Sequence, residues 1–253
     1  MGISGHSLAL ALVGCIVAAI ARADDARVVL RDAKPVAHGI AAFPKIVAPK
    51  SEAATRVNRA LEGADASVDR VAVDCNHYKG WHRTVSVTMG GPRYLSLLAS
   101  DDWYCGGAYP DTEFTALVFD LSTGAPIDWM KLFPADFIGK AGPSPGGGVS
   151  DPIGIESPRL WDLFVKTANA AEHDDCNDVR SDPSGSGTRL MIWPNAKDGG
   201  IDLFAAEFPH VVKACAGPAT LPTAELRKLG ADAALLDAID EAHAKGWYDD
   251  RKQ

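Results

Sequence analysis

The sequence is poor in positive charge and lacks the short motifs that mark the common catalytic and cofactor sites. Lys and Arg number 25 against 33 Asp and Glu, which gives a formal net charge of -8. This charge argues against a nucleic-acid partner, which would require a basic stripe, and against attachment to anionic lipid. Residues 184–187 lack the Gly-x-Ser-x-Gly pattern of hydrolases, and residues 146–148 lack the Lys that completes a phosphate loop. We therefore expect no cofactor and no nucleic-acid partner.

Long apolar runs are absent after the N-terminus. Residues 7–20 are almost wholly apolar but are too few for a comfortable membrane span of about 20 residues. Ala21 and Ala23 form a small-x-small cleavage pattern, so we predict a signal peptide over residues 1–23. An alternative is a lipoprotein anchored through Cys15, although the apolar residues that follow Cys15 favour soluble export. The sequence predicts a periplasmic or secreted protein with no integral membrane segment once the signal is removed.

Cysteine is scarce, and no two cysteines have the Cys-x-x-Cys spacing of a zinc site. Four remain after removal of the signal, and an even number in an exported chain favours disulfides. Of the three pairings, Cys75 with Cys105 and Cys176 with Cys215 keep each bond within one half of the chain. We predict these two disulfides, no metal and no free thiol nucleophile.

The apolar periodicity predicts several helices and an antiparallel meander of strands. Hydrophobic residues make up 47% of the chain, enough for a sizeable core. We interpret residues 24–253 as a single domain with a flexible loop at about 139–157. Helices are predicted over 51–62, where Ser51 caps the helix and Gly63 ends it, and over 158–171, 223–229 and 232–245. Strands are predicted over 27–31, 68–75, 84–89, 94–100, 114–119, 188–193, 200–206 and 210–214.

An aromatic turn at the centre of the chain is the first candidate site. Gly106 and Gly107 supply backbone angles that other residues resist. Trp103, Tyr104 and Tyr109 flank these glycines and would form a contact patch for sugar or protein if they were exposed. Large aromatic side chains usually lie inside, so burial of most of them, with the nearby Trp81, is the favoured expectation.

Other candidates for chemistry have a simpler structural interpretation. Asp101, Asp102 and His210 could form an acid/base group, but nothing in the local sequence specifies it. His77 and His82 are interpreted as solvated turn histidines rather than metal ligands. The acidic residues of 172–182 lack the spacing of an EF-hand, and we expect a solvated loop there. Asn195, Asp198 and Asp202 surround Gly199 and Gly200 in a pattern typical of a hairpin turn.

The order of several segments resembles the RsiV-like extracytoplasmic domain family. This family occurs in a lysozyme-sensing anti-sigma factor, in the N-terminal region of a peptidoglycan deacetylase and in a secreted mycobacterial immunogenic protein. The resemblance covers roughly residues 30–230 and rests on structural motifs at residues 43–44, 57–58, 94–96, 106–110, 119–127, 132–133 and 221–229. It implies an α+β fold, in which helices pack on antiparallel sheet, and no conserved catalytic machinery. The family usually carries His where this chain has Tyr109, so a role of that His does not carry over. The two predicted disulfides are not a general family feature.

These observations favour a non-enzymatic binding domain exported to the bacterial envelope. The expected partner is a lysozyme-like protein or cell-wall glycan. One alternative is an enzyme acting on envelope carbohydrate, with Asp101, Asp102 or His210 as acid and base. Another alternative is a structural secreted protein without a ligand.

Overall fold

A computed structural model describes residues 27–74, 80–106, 109–143, 153–171, 176–181 and 189–249. The strands are Val29–Arg31 (β1), Lys45–Ala48 (β2), Trp81–Gly90 (β3), Tyr94–Trp103 (β4), Asp111–Asp120 (β5), Ala125–Pro126 (β6), Lys140–Pro143 (β7), Ile153–Glu156 (β8), Leu190–Asn195 (β9), Gly200–Ala205 (β10) and Ala219–Pro222 (β11). The α-helices are Glu52–Asp74 (α1), Ala135–Ile138 (α2), Pro158–Ala171 (α3), Cys176–Arg180 (α4), Thr223–Lys228 (α5) and Ala233–Lys245 (α6). Two 3-10 helices lie at Trp129–Lys131 and His210–Cys215.

Antiparallel sheets form the centre of the fold. A four-stranded sheet has the order β3-β4-β5-β6, a five-stranded sheet has the order β11-β10-β9-β8-β7, and β1 pairs with β2. Every strand pair within them is antiparallel. The α+β class predicted from the sequence is therefore confirmed.

The four-stranded sheet has helix α1 on one face and the five-stranded sheet on the other. Side chains alternate along β4, so that Leu95 and Leu97 meet Val57 and Leu61 of α1. Tyr94, on the opposite face, joins the larger core with residues of the five-stranded sheet, α3 and α6. This double coverage explains why most of β4 is buried.

Helix α1 is the largest departure from the sequence prediction. Ser51 caps it as expected, since its Oγ accepts a 3.0 Å hydrogen bond from the Ala54 amide. However, the helix continues through Gly63 to Asp74, so the strand predicted at 68–75 is wrong. Ala64 and Ser67 are buried on the same side as Leu61, and this packing favours helix over local β-propensity.

Two further predictions are corrected in the second half of the chain. Residues 210–214, predicted as a strand, lie in the 3-10 helix His210–Cys215. The loop predicted at about 139–157 spans fewer residues than expected, because β7 and β8 occupy its two ends and pair with each other. Residues 144–152 lie outside the described part of the chain.

The predicted meander is confirmed. Strand β4 pairs along its whole length with β3 on one side and with β5 on the other. Both ends of the described chain cover the outer edge of β3. The Ala41 amide bonds to the Arg83 carbonyl, and Val87 exchanges two backbone hydrogen bonds with Asp249. Pairing of this kind hides an edge strand that would otherwise be open to other chains.

No helix among the residues described is both long and apolar enough to span a membrane. The predicted signal peptide, including Cys15, lies outside these residues.

Candidate binding site

The aromatic turn lies in the connection between β4 and β5. Its ends are fixed, because Trp103 pairs with Asp111 in the sheet and the Tyr104 amide donates a 3.0 Å hydrogen bond to the Gly80 carbonyl. Gly106 has a φ of +92°, a region that residues with a side chain rarely adopt. Gly107 lies outside the described residues. The connection is thus a loop held at both of its ends.

Both tyrosines of this loop are exposed, Tyr104 at 47% and Tyr109 at 71% of their surface. Trp103 is half-buried and lies against Trp81, with ring centroids 6.4 Å apart. The expectation that most of these aromatics are buried is therefore wrong for the two tyrosines. Chain geometry explains the difference, since loop residues have no second layer of structure above them.

At the end of the loop next to β5, two rings are stacked. The ring of Tyr109 lies parallel to that of His210, with centroids 5.7 Å apart and an interplanar angle of 16°. Val211 follows His210 in the 3-10 helix and is 84% exposed. We call the turn residues Trp103, Tyr104, Gly106 and Tyr109, together with the adjoining His210 and Val211, the tyrosine patch. Its Tyr104, Tyr109 and Val211 are exposed to solvent.

Charged side chains border the tyrosine patch. Asp111 accepts a 3.0 Å hydrogen bond from Lys213 Nζ, and its Oδ1 lies 3.6 Å from His210 Nδ1. Burial would raise the pKa of Asp111, but the hydrogen bonds from Lys213 and the Thr112 amide outweigh it, and the pKa lies below its ordinary value. Asp111 is therefore ionised at neutral pH and can accept hydrogen bonds from a ligand.

A disulfide anchors the 3-10 helix that carries His210. Cys176 and Cys215 are bonded, as predicted, and join α4 to the end of this helix. The buried Arg180 of α4 donates a 2.8 Å hydrogen bond from Nε to the Cys215 carbonyl. Cys105 is also disulfide-bonded. Its predicted partner Cys75 lies outside the described residues, so that pairing stays a prediction.

The three residues considered for acid/base chemistry do not meet. Asp101 is buried, accepts a 2.8 Å hydrogen bond from Trp81 Nε1 and lies 3.6 Å from Arg83 Nε. Burial raises its pKa, against the opposing charge of Arg83 and the hydrogen bond from Trp81. Asp102 is the next residue in β4 and so points to the opposite face, where Thr112 Oγ1 donates to it. His210 instead pairs with Asp111. This separation argues against a shared acid/base site.

The remaining candidates are structural where they are described. Asn195 and Asp198 close the turn between β9 and β10 through a 2.8 Å side-chain hydrogen bond, which confirms the hairpin. His82 is exposed on β3 rather than in a turn. His77 and most of the acidic run at 172–182 lie outside the described residues, and Asp178 lies in α4. In the part of the chain that is described, no three His, Cys, Asp or Glu side chains group to hold a metal ion.

The sequence analysis missed Asp111, Lys213 and Val211 as neighbours of the aromatic turn. Asp111 directly follows Pro110, so the sequence alone places it next to the aromatic turn. Lys213 and Val211 are more than 100 positions away, since Lys213 and Asp111 are 102 residues apart. No local pattern links them to the turn. Their position depends on the 3-10 helix that replaced the predicted strand.

No protein-family model and no curated protein matches this chain. Among solved structures, it is similar to a member of the DUF3298 family from Bacteroides fragilis. The two are 11% identical with a TM-score of 0.44, and the match covers 77% of this chain and 75% of that one. A likeness at this level does not establish a shared function. Membership of the RsiV-like family remains a prediction from the sequence.

Proposed function

We propose that this protein is an exported bacterial envelope protein that binds cell-wall glycan at the tyrosine patch without catalysing a reaction. The observation that carries the proposal is the exposure of Tyr104 and Tyr109, with Tyr109 stacked on His210. Large aromatic side chains that a fold leaves in solvent and yet holds in place are typical of contact surfaces.

The chemistry of the patch suits a sugar ring. Tyrosine offers a flat apolar face together with a hydroxyl, and it has few rotatable bonds to restrain when a ligand binds. Asp111 and Lys213 add an acceptor and a donor beside the stacked rings. A saccharide presents apolar C–H faces and hydroxyl edges, and this combination matches the aromatic faces and their polar border.

A lysozyme-like protein is the alternative partner, supported by the family resemblance and by the exposed Val211. Tyr and Trp are also enriched among the contact residues of protein interfaces. An enzyme acting on envelope carbohydrate is less well supported, because Asp101, Asp102 and His210 are separated. A structural role without a ligand would leave the exposed tyrosines unexplained.

Sedimentation with purified peptidoglycan and capture on immobilised lysozyme test the proposal. We expect retention on peptidoglycan, and we expect Tyr104→Ala with Tyr109→Ala to abolish it. Met130→Ala is the matched control, since Met130 is also an exposed apolar residue but lies in the 3-10 helix Trp129–Lys131. Retention on lysozyme alone would select the protein partner. Retention on neither, or retention that the tyrosine substitutions do not alter, would rule out the glycan-binding function.

Export is tested separately by N-terminal sequencing of the mature protein from the producing cell. We expect the mature chain to begin at Asp24. A chain that begins at a modified Cys15 would identify the lipoprotein alternative.

A further inference from the structure

A cleft that shares no lining residue with the tyrosine patch lies between the N-terminal segment and helix α1. It is broadly open to solvent and has a volume of about 390 Å³, enough space for a small molecule. Lys34 and Lys45 line the wall formed by the N-terminal segment, while Glu62 and Asp65 line the wall formed by α1. Apolar side chains, including Val36 and Ala42, complete the lining. The cleft is therefore polarised, with positive charges on one wall and negative charges on the other.

These charges neutralise one another only in part. Lys45 Nζ and Asp65 Oδ2 form an ion pair at 3.8 Å, a separation too long for a direct hydrogen bond, and the hydrogen bond from Lys45 to the Asn58 carbonyl is long at 3.4 Å. Within the described residues, Lys34 and Glu62 form no ion pair with each other. If the charges served only to fasten the N-terminal segment to α1, we would expect direct hydrogen-bonded pairs across the cleft. The separation instead leaves room between the walls.

The carboxylate of Asp65 is held in a fixed orientation by buried groups. Its Oδ1 accepts a 3.1 Å hydrogen bond from the Phe43 amide and lies 3.9 Å from Arg83 Nη1. The Arg83 side chain is almost fully buried and lies over the ring of Phe43, 4.6 Å from its centroid. These contacts engage Oδ1 and leave Oδ2 on the side of Lys45. A group fixed in this way does not lose side-chain freedom when a ligand binds.

The lysine on the opposite wall is also partly removed from water. Burial lowers the pKa of Lys45, against the charges of Asp65 and Glu62, which raise it. Burial likewise raises the pKa of Asp65, against its hydrogen bond from Phe43 and the charge of Arg83. The Lys45 ammonium and the Asp65 carboxylate are thus incompletely solvated. A ligand group of opposite charge at hydrogen-bonding distance would stabilise each of them.

We propose that this cleft binds a small zwitterion, namely a free amino acid or a short peptide with unblocked termini. The ligand carboxylate binds Lys34 and Lys45, and its ammonium group binds Glu62 and Asp65. A ligand with only one sign of charge is attracted by one wall and repelled by the other, whereas a zwitterion satisfies both. The site is independent of the tyrosine patch and of the glycan proposed to bind there.

Three related peptides test this proposal by isothermal titration calorimetry on the full mature chain. The probes are alanyl-alanine, N-acetyl-alanyl-alanine, which lacks the ammonium group, and alanyl-alanine amide, which lacks the carboxylate. We expect saturable binding of alanyl-alanine and a loss of affinity of about tenfold or more for each blocked peptide, as for any lost charge-assisted hydrogen bond.

Two variants assign the binding to the cleft. Lys34→Met and Glu62→Gln each remove one charged group whose side chain makes no ion pair within the described residues, so folding is expected to be unaffected. Each should weaken alanyl-alanine binding about tenfold. Lys50→Met and Glu52→Gln are the matched controls, since both residues are exposed and neither lines the cleft.

Three results would overturn the proposal. The first is no binding of alanyl-alanine at millimolar concentration by a protein that melts cooperatively. The second is a blocked peptide that binds as tightly as the free one, which would indicate a site for a single charge. The third is binding that Lys34→Met and Glu62→Gln leave unchanged. Glu62→Gln should not alter retention on peptidoglycan, so failure at either site is distinguishable from failure at the other.

Discussion

Trp81 Nε1 donates a 2.8 Å hydrogen bond to Oδ1 of Asp101 on the neighbouring strand. The same Oδ1 lies 3.6 Å from Arg83 Nε, and Arg83 in turn faces Asp65. A line of polar contacts, with the buried Arg83 and Asp101 at its centre, therefore leads from Trp81 beside the tyrosine patch to the Asp65 carboxylate in the cleft against α1. These contacts give Asp101 a structural role in place of the acid/base role considered from the sequence.

Removal of Asp101 should destabilise the fold strongly. Asp101→Ala leaves the buried Arg83 with Asp65 as its remaining anionic neighbour, at 3.9 Å. Taking one partner from a buried ion pair typically costs about 3–5 kcal/mol, because the other charge stays desolvated. We expect a loss of about 3 kcal/mol in the free energy of unfolding, measured by urea denaturation.

The adjacent Asp102 provides a matched control for this prediction. It is exposed, and Thr112 Oγ1 donates to it. Asp102→Ala should change the free energy of unfolding by about 0.5 kcal/mol or less, as is usual for surface positions. Equal effects of the two substitutions would contradict the structural role assigned to Asp101.

The bond between Cys176 and Cys215 should contribute strongly to stability. It closes a loop of 39 residues, for which the chain-entropy model gives about 4 kcal/mol. Replacement of both cysteines by Ala should lower the free energy of unfolding by about 3–4 kcal/mol, measured by urea denaturation without reductant. Because this bond holds the helix that carries His210, binding at the tyrosine patch should weaken too. Unchanged stability would show that the loop is already closed by other contacts.

The sequence predicted the parts of the fold that depend on local pattern. The alternating residues of β3 and β4 and the cap at Ser51 were correctly interpreted because their signals lie within a few positions. The predicted length of α1 was wrong because a glycine such as Gly63 is a common helix end. In the structure, Ala64 and Ser67 continue the buried face of the helix beyond Gly63. Of the residues in the candidate site, only those in the turn between β4 and β5 were predicted from the sequence. His210 and Lys213 join it through tertiary packing that no local spacing encodes.

Gly63 gives a direct test of the corrected helix. A Cβ at Gly63 would meet no heavy atom within 4 Å. Ala is favoured over Gly in a helix interior by about 0.5–1 kcal/mol, so Gly63→Ala should stabilise the protein by about this amount. The measurement is the free energy of unfolding in urea. A loss of stability would indicate that the helix does end at Gly63, as the sequence alone suggested.

Gly124 is the contrasting position for this comparison. It has a φ of +71°, and a Cβ there would lie 2.3 Å from the Ala53 carbonyl oxygen of α1. The contact is with backbone, which cannot move without displacing the start of the helix. Gly124→Ala should therefore destabilise the protein, by about 1–3 kcal/mol or more. Gly63→Ala should thus raise the free energy of unfolding and Gly124→Ala should lower it. The first change reports helix propensity and the second reports close packing against backbone.

Asp202 should make stability depend on pH in a defined direction. Burial on β10 raises its pKa from 3.8 to about 6, against hydrogen bonds from Thr220 and Asn195, and the charge of Asp198 adds to the rise. A carboxyl group whose pKa is higher in the folded state favours folding when it is protonated. Its contribution is therefore full below about pH 3, declines as the pH rises through 6, and is lost above that value.

The size of this effect follows from the shift. A rise from 3.8 to about 6 corresponds to about 3 kcal/mol in all, of which about 2 kcal/mol falls between pH 4 and pH 7. Asp65 and Asp101 are shifted in the same direction and Asp111 in the other, so the wild-type profile alone does not isolate Asp202. Asp202→Asn removes its titration and leaves the others. The difference in free energy of unfolding between wild type and Asp202→Asn should fall by about 2 kcal/mol from pH 4 to pH 7. A difference that stays constant with pH would mean that Asp202 titrates near its ordinary pKa, and that water reaches the end of β10.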